Sequence, residues 1–192
     1  MTIICALRVG GQTWIGSDTR VMGGTAIYPA PIQKWVVNAS GALGVAGQGY
    51  MLSLVRLHLA TRIGAPVDEI ADGLRALQKE YEFNDDKDRG PKAYGQSFIY
   101  ATEAGIWDID SASASLEMPE GKLWARGSGS DYALGTDFAI RRRLEEAGTS
   151  DSDVNPIWPM AEYRVETALQ AACEFDAGCG APLFIHRLGG KI

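Results

Sequence analysis

Three polar residues in this chain stand where a reactive centre can be assembled: Thr2, Asp18 in "GSDTR" and Lys34 in "IQKWV". Asp18 follows Thr2 by 16 residues and Lys34 follows it by 32. Each falls at the start or end of a segment with strand character, so neighbouring strands can bring all three to one end of a sheet. A threonine hydroxyl is a weak nucleophile and needs a base. If Met1 is removed, the α-amine of Thr2 lies on the nucleophile's own residue. Its reference pKa of about 7.7–8.0 leaves a useful neutral fraction near pH 7. A lysine close by favours the neutral amine and the alkoxide, and an aspartate holds the lysine. The competing reading is three ordinary polar strand-end residues, and spacing alone leaves both open.

Other chemistries have less to work with. The chain has two histidines, His58 inside an apolar helical run and His186 in the last strand-like run, and both read as structural. Neither has Cys or Glu at metal-ligand spacing, so no metal site is expected. Cys5, Cys173 and Cys179 are too few and too oddly spaced for a disulfide framework. "GVAGQG" (Gly44–Gly49) and "GSGSDYALG" (Gly127–Gly135) invite a phosphate-loop reading. Neither ends in Gly-Lys-Ser/Thr, and Tyr132 stands where a dinucleotide fingerprint needs its third glycine. Each cluster instead ends a strand and opens a helix, where free backbone N–H groups can hold an oxyanion. No cofactor is called for.

The elements that must position these residues follow from periodicity. Thr2–Val9 and Thr13–Ser17 read as a hairpin closed by Gly10-Gly11, and Lys34–Val37 with Ala42–Ala46 as a second. Tyr50–Ile63 reads as a buried helix, and Val67–Glu82 as an amphipathic one behind Pro66. "NDDKDRGPKAYG" (Asn84–Gly95) reads as a polar loop. Strands are expected at Gln96–Thr102, Gly105–Ile109, Leu123–Ala125 and Pro182–Leu188. Helices are expected at Ser130–Ala147 and Met160–Phe175, separated by a polar, Pro-containing linker at Thr149–Pro159. Strand runs apolar on both faces, flanked by helix pairs, imply an α+β fold in four layers: helices, sheet, sheet, helices. No repeat or internal boundary is visible, so residues 1–192 read as one domain.

Composition bounds the function class. The chain is 46% hydrophobic and 22% charged, as expected for a globular protein that keeps a sizeable core. Eighteen basic against 24 acidic residues leave a net charge of −6, which disfavours nucleic-acid binding. The one basic run, "RRRLEE" (Arg141–Glu146), reads as an exposed helix face with its own acidic partners. The first eleven residues lack a basic segment followed by a long apolar one, and no apolar run reaches the ~18 residues of a membrane span. The expectation is therefore a cytoplasmic protein without a membrane partner.

Four segments, in order and at matched spacings, carry a family likeness across nearly the whole chain: "TIICALRVGGQTWIGSDTR", "GALGVAGQG", "RGSGSDYALG" and "ALQAACEFDAGCGAPLFIHRL". The sequence resembles the proteasome β-subunit and HslV-type peptidases, the N-terminal-nucleophile threonine hydrolases. The resemblance implies an αββα sandwich with two antiparallel sheets between helix pairs. It implies Thr2 as nucleophile and base, Asp18 and Lys34 as the charged pair, and Gly47 as the oxyanion N–H. It likewise implies Ser128 and Asp176 as the residues that orient the amine and water. By analogy Val21 and Val45, with Gly49, line the substrate site and favour an apolar residue before the scissile bond. The family's serine three residues beyond the aspartate is replaced here by Cys179, a poorer donor. The partners implied are copies of the chain in stacked six- or seven-fold rings, an ATP-dependent unfoldase, and unfolded protein or peptide as substrate. Two alternatives remain: a catalytically silent ring subunit, and an amidase acting on a small molecule.

Overall fold

The computed structural model describes residues 2–23, 26–28, 31–47, 49–81, 96–110, 112–149 and 157–189. Met1, the Asn84–Gly95 segment and most of the expected 149–159 linker lie outside the described residues.

Strands β1 (Ile3–Val9) and β2 (Gln12–Ser17) form the first hairpin. Gly10 and Gly11 both take positive φ, 58° and 72°, which a two-residue turn matching the strand twist demands. Two short strands follow, β3 (Val21–Gly23) and β4 (Ala26–Tyr28), which pair with each other as a separate two-stranded sheet among the described residues. The second long hairpin is β5 (Trp35–Asn38) and β6 (Gly41–Ala46). Then come α1 (Gly49–His58), a 3₁₀ turn at Ala60–Arg62, and α2 (Val67–Glu80). The meander β7 (Ser97–Thr102), β8 (Ile106–Ile109), β9 (Ser115–Glu117) continues the second sheet. The chain crosses back as β10 (Trp124–Gly127), builds α3 (Ser130–Glu146) and α4 (Ile157–Phe175), and ends on β11 (Phe184–Leu188).

The two principal sheets are antiparallel, ordered β10-β1-β2-β11 and β5-β6-β7-β8-β9. Period-two alternation stacks them. Ile3, Cys5, Leu7 and Val9 pack with Val165, Ala168, Leu169 and Ala172 of α4, whereas Ile4 and Ala6 face the opposite way. There they meet Ala42, Ala46, Ile99 and Ala101 of the second sheet. Leu43, Val45, Phe98 and Tyr100 emerge on that sheet's far side against α1 and α2. The result is the expected four-layer αββα sandwich. Gly44 lets the sheets close, since a Cβ there would sit 2.8 Å from Ile4 Cγ2. Gly16 does the same for α4, with Leu169 Cδ1 at 2.7 Å from such a carbon. Burying an Ile or Leu in these layers contributes about 2 kcal/mol each.

Several expectations shift at their edges. The first helix ends at His58 rather than Ile63, giving way to the 3₁₀ turn, and it is amphipathic rather than buried: Leu57 is 74% exposed. The fourth helix starts at Ile157, so Pro159 falls inside its first turn, where a missing N–H loses no helical bond. The short strands β3, β4 and β9 carry too little pattern to read from sequence. On α3 the basic run behaves as a solvated face: Arg142 pairs with Glu146 at 2.9 Å, and Arg141 with Asp137 at 3.0 Å.

Candidate active site

Hairpin geometry places Thr2 and Asp18 together. Because Ile4 pairs with Ser17, the next positions outward are Ile3 and Asp18, and the Asp18 N–H donates to the Ile3 carbonyl at 3.3 Å. Thr2 therefore leaves β1 at the end where Asp18 leaves β2. Lys34 enters β5 at the matching end of the second sheet, where its carbonyl accepts from Val45 N–H at 2.9 Å. Gly47 lies just past β6 at that same end, in a bend with φ +136°.

Asp18 is the hub. Its Oδ1 accepts from Thr2 Oγ1 at 3.0 Å, Ile3 N–H at 2.9 Å and Lys34 Nζ at 2.6 Å. Its Oδ2 accepts from the N–H groups of Arg20 and Gly180, each at 3.1 Å. The carboxylate is fully buried and Lys34 is 5% exposed. Burial pushes the Lys34 ammonium below its ordinary value, and the Asp18 charge opposes that shift. A buried charge pair with this many donors is held in one geometry.

The opposite side of Thr2 is built by the β10–α3 junction. Gly127 pairs with Ile3 and has φ +113°; a Cβ there would overlap the Thr2 carbonyl oxygen. Glycine thus permits the close approach that brings Ser128 to Thr2: the Thr2 N–H donates to Ser128 Oγ at 3.2 Å. Gly129 has a similar role, since a Cβ there would lie 2.9 Å from Cys179 Sγ. The turn after α4 supplies Asp176, whose Oδ1 accepts from Gly178 N–H at 2.8 Å and whose Oδ2 accepts from the Cys179 thiol at 3.3 Å. Burial raises the Asp176 carboxyl. Hydrogen bonds from the Ser128 hydroxyl, Gly178 N–H and Cys179 outweigh it and hold the group below the usual range. The same turn is tied to the hub through Gly180 N–H and through Arg20, which donates to the Ala177 carbonyl at 2.8 Å.

The six residues expected at the centre thus gather at one end of the sandwich. Thr2, Gly47 and Ser128 line a cavity of about 370 Å³. Asp18 and Lys34 sit behind Thr2, and Asp176 behind Ser128. The three residues expected to touch substrate are less uniform. Val45 is 4% exposed and packs into the α1–α2 core, which removes its side chain from the cavity wall because inward and outward positions alternate along β6. Val21 is half-buried at the start of β3, and Gly49 opens α1 with free space at its Cα. None of the three lines the Thr2 cavity. Sequence reasoning missed Ser97, Arg126 and Ser130, which do. The available signal was the charged residue immediately before Gly127-Ser-Gly in an otherwise apolar strand.

The thiols are not competing nucleophiles. Burial pushes Cys5 and Cys179 well above the ordinary thiol value and Cys173 up to about 11, so all three stay protonated near pH 7. Neither histidine lines the cavity: His58 lies at the surface beside the Tyr81 hydroxyl, and His186 sits half-buried on β11.

Four layers with a threonine leaving the first strand at the open end between two antiparallel sheets define an N-terminal-nucleophile hydrolase fold, of the proteasome and HslV type. No protein-family model and no curated protein sequence matches the chain. Among solved structures it is similar to BPH, the bacterial proteasome homolog of Thiobacillus denitrificans, at TM-score 0.70 and 20% identity, covering 97% of each chain. The same protein in complex with epoxomicin matches equally, at TM-score 0.70, 20% identity and 97% of each chain. Eukaryotic HslV from Trypanosoma brucei matches at TM-score 0.68 and 19% identity over 97% of this chain and 98% of that one. At such identities the likeness carries the fold, and function rests on the residues.

Proposed function

We propose that this chain is a proteasome-like threonine endopeptidase with Thr2 as its nucleophile after removal of Met1. The observation that carries the reading is the convergence of Thr2 Oγ1 and Lys34 Nζ on Asp18 Oδ1, at 3.0 and 2.6 Å, in a site closed to water on one side and open to a cavity on the other. In this reading the freed α-amine takes the Oγ proton as Oγ attacks a peptide carbonyl, and the Lys34 charge favours both the neutral amine and the developing alkoxide. The Gly47 N–H stabilises the tetrahedral oxyanion. The amine's proton then passes to the leaving amine, and an acyl-enzyme remains on Thr2. Water activated by the same amine hydrolyses it. Ser128, set 3.2 Å from the Thr2 nitrogen and linked to Asp176, orients that amine. A hydroxyl nucleophile with its base on the same residue needs no histidine, which suits a site without one.

The same reading takes the chain as one subunit of stacked six- or seven-fold rings whose inner chamber admits unfolded protein or peptide, with an ATP-dependent unfoldase as feeder, in the cytoplasm. The fold likeness to HslV supports it, as do Tyr50 and Leu57, 54% and 74% exposed on α1, a face suited to contact with another subunit. Cys179 favours a second reading, a silent ring subunit, because a thiol is a weak donor to Asp176.

Intact mass with epoxomicin labelling separates the two. Active protein loses one methionine and gains one inhibitor mass, mapped to residue 2, while Thr2→Ala gains none. Quantitative retention of Met1 in protein from its own host excludes the amine-base mechanism.

A further inference from the structure

We propose that Arg126 selects substrates with a carboxylate side chain on the residue that follows the scissile bond. The proposal rests on the reading of Thr2 as nucleophile. On β10 the neighbour Ala125 faces the helix layer, and Arg126 pairs with Ile4, which faces the other sheet. The guanidinium therefore enters the cleft between the sheets at the Thr2 end. Asp108 of β8, 7% exposed, reaches from the opposite sheet and accepts from Arg126 Nε at 2.7 Å and from Nη2. Trp124 lies beneath, with its ring centre 5.3 Å from the guanidinium carbon. This clamp uses two of the five guanidinium N–H donors and aims the remainder.

The cavity that Arg126 shares with Thr2 and Gly47 is also lined by Ser97, Ser128 and Ser130, beside Ala46 and Gly127. Among the described residues no carboxylate lines it; Asp108 stands behind the guanidinium. Hydroxyls, a backbone N–H and one pre-oriented cation form a lining rich in donors, which fits an anionic group better than an apolar or cationic one. A carboxylate can take two guanidinium N–H bonds side by side, whereas a carboxamide of equal size offers only one acceptor oxygen. Val21 and Gly49, which the family resemblance assigns to the residue before the scissile bond, stand outside this cavity. It is therefore assigned to the leaving-group side.

The test compares two internally quenched peptides, Ala-Ala-Val-Leu-Glu-Ala-Ala and its counterpart with Gln for Glu. Mass spectrometry of the products confirms the Leu-Glu or Leu-Gln bond as the site of cleavage. The parent assembly should favour Glu by about tenfold in kcat/KM, roughly what one charge-assisted pair supplies. The Arg126→Met/Asp108→Leu double variant removes both charges without leaving either one buried alone. It should lose the preference, cleaving the Glu and Gln peptides with the same kcat/KM. Arg126→Lys, which keeps the charge but not the fork, should retain only part of it. Equal cleavage of both peptides by the parent, or a preference that survives in the double variant, overturns the proposal and leaves the peptidase reading intact. If the parent cleaves neither peptide, calorimetric binding decides. Arg126-dependent preference for the Glu peptide then supports the carboxylate site while sinking the peptidase reading, and absence of binding refutes the site.

Discussion

Asp18→Asn tests the hub most directly, because the replacement keeps the shape and changes only charge and hydrogen bonding. Five donors converge on the carboxylate. An asparagine amide turned toward the Oδ2 side faces the Arg20 and Gly180 N–H groups; turned the other way, it faces Thr2, Ile3 and Lys34. In either orientation at least two buried donors lose their acceptor, at about 1–3 kcal/mol each. Lys34 also loses its counter-ion, and breaking a buried pair by removing one partner costs about 3–5 kcal/mol. These costs overlap, so the expected destabilisation is about 4 kcal/mol, a shift of roughly 2 M in the urea midpoint for an m-value near 2 kcal/mol/M. The pH dependence has a definite sign. Burial already lowers the Lys34 pKa in the folded chain, and the lost Asp18 charge had opposed that shift, so the folded value falls further. Between the folded value and the ordinary lysine value, the unfolded chain binds the extra proton, and stability rises with pH there. The gap between variant and parent should therefore narrow as pH rises from 7 to 10. Adding Lys34→Met should recover at least half the loss, since no charge is then buried alone. A midpoint shift below about 0.5 M, or no recovery in the double variant, would refute the account of Asp18 as counter-ion and acceptor.

The remaining predictions concern the glycine that admits Ser128 and the thiol that replaces a hydroxyl. Gly127→Ala combines a positive φ with overlap on the Thr2 carbonyl, so it should cost about 2–4 kcal/mol in chemical denaturation and abolish labelling of Thr2 by epoxomicin. A variant that labels normally would show that Thr2 is not held by this contact. Cys179→Ser puts a stronger donor on Asp176 Oδ2 and should raise kcat for peptide hydrolysis several-fold with stability changed by less than about 1 kcal/mol. A fall in kcat would mean that the thiol's size, and not its weak donation, is what the site uses.

Much of this architecture was legible because it rests on local pattern. Alternation in β1 separates Ile3, Cys5 and Leu7 from Ile4 and Ala6, and with it the helix-facing and sheet-facing sides of the first sheet. The Gly10-Gly11 turn sets the hairpin register, which in turn brings Thr2 to Asp18. Helix lengths were less secure where tertiary packing overrode propensity, as at the early stop of α1 and the start of α4 ahead of Pro159. The catalytic candidates Thr2, Asp18 and Lys34 were visible as polar residues at strand ends, a position that chain order reveals.

Tertiary structure alone settled which residues face the cavity. Asp108 and Arg126 belong to different sheets, and their pairing depends on how one sheet lies across the other. Val45 is a substrate contact by analogy with the family, yet the pleat turns it into the α1–α2 core, because sides alternate residue by residue. Cys179 reads as a lost hydroxyl, and only the turn after α4 shows its thiol still reaching Asp176. Sequence period specifies which residues share a face of one element. Which faces then meet across two sheets is set by close packing among residues far apart in the chain, where a single methyl group decides the approach.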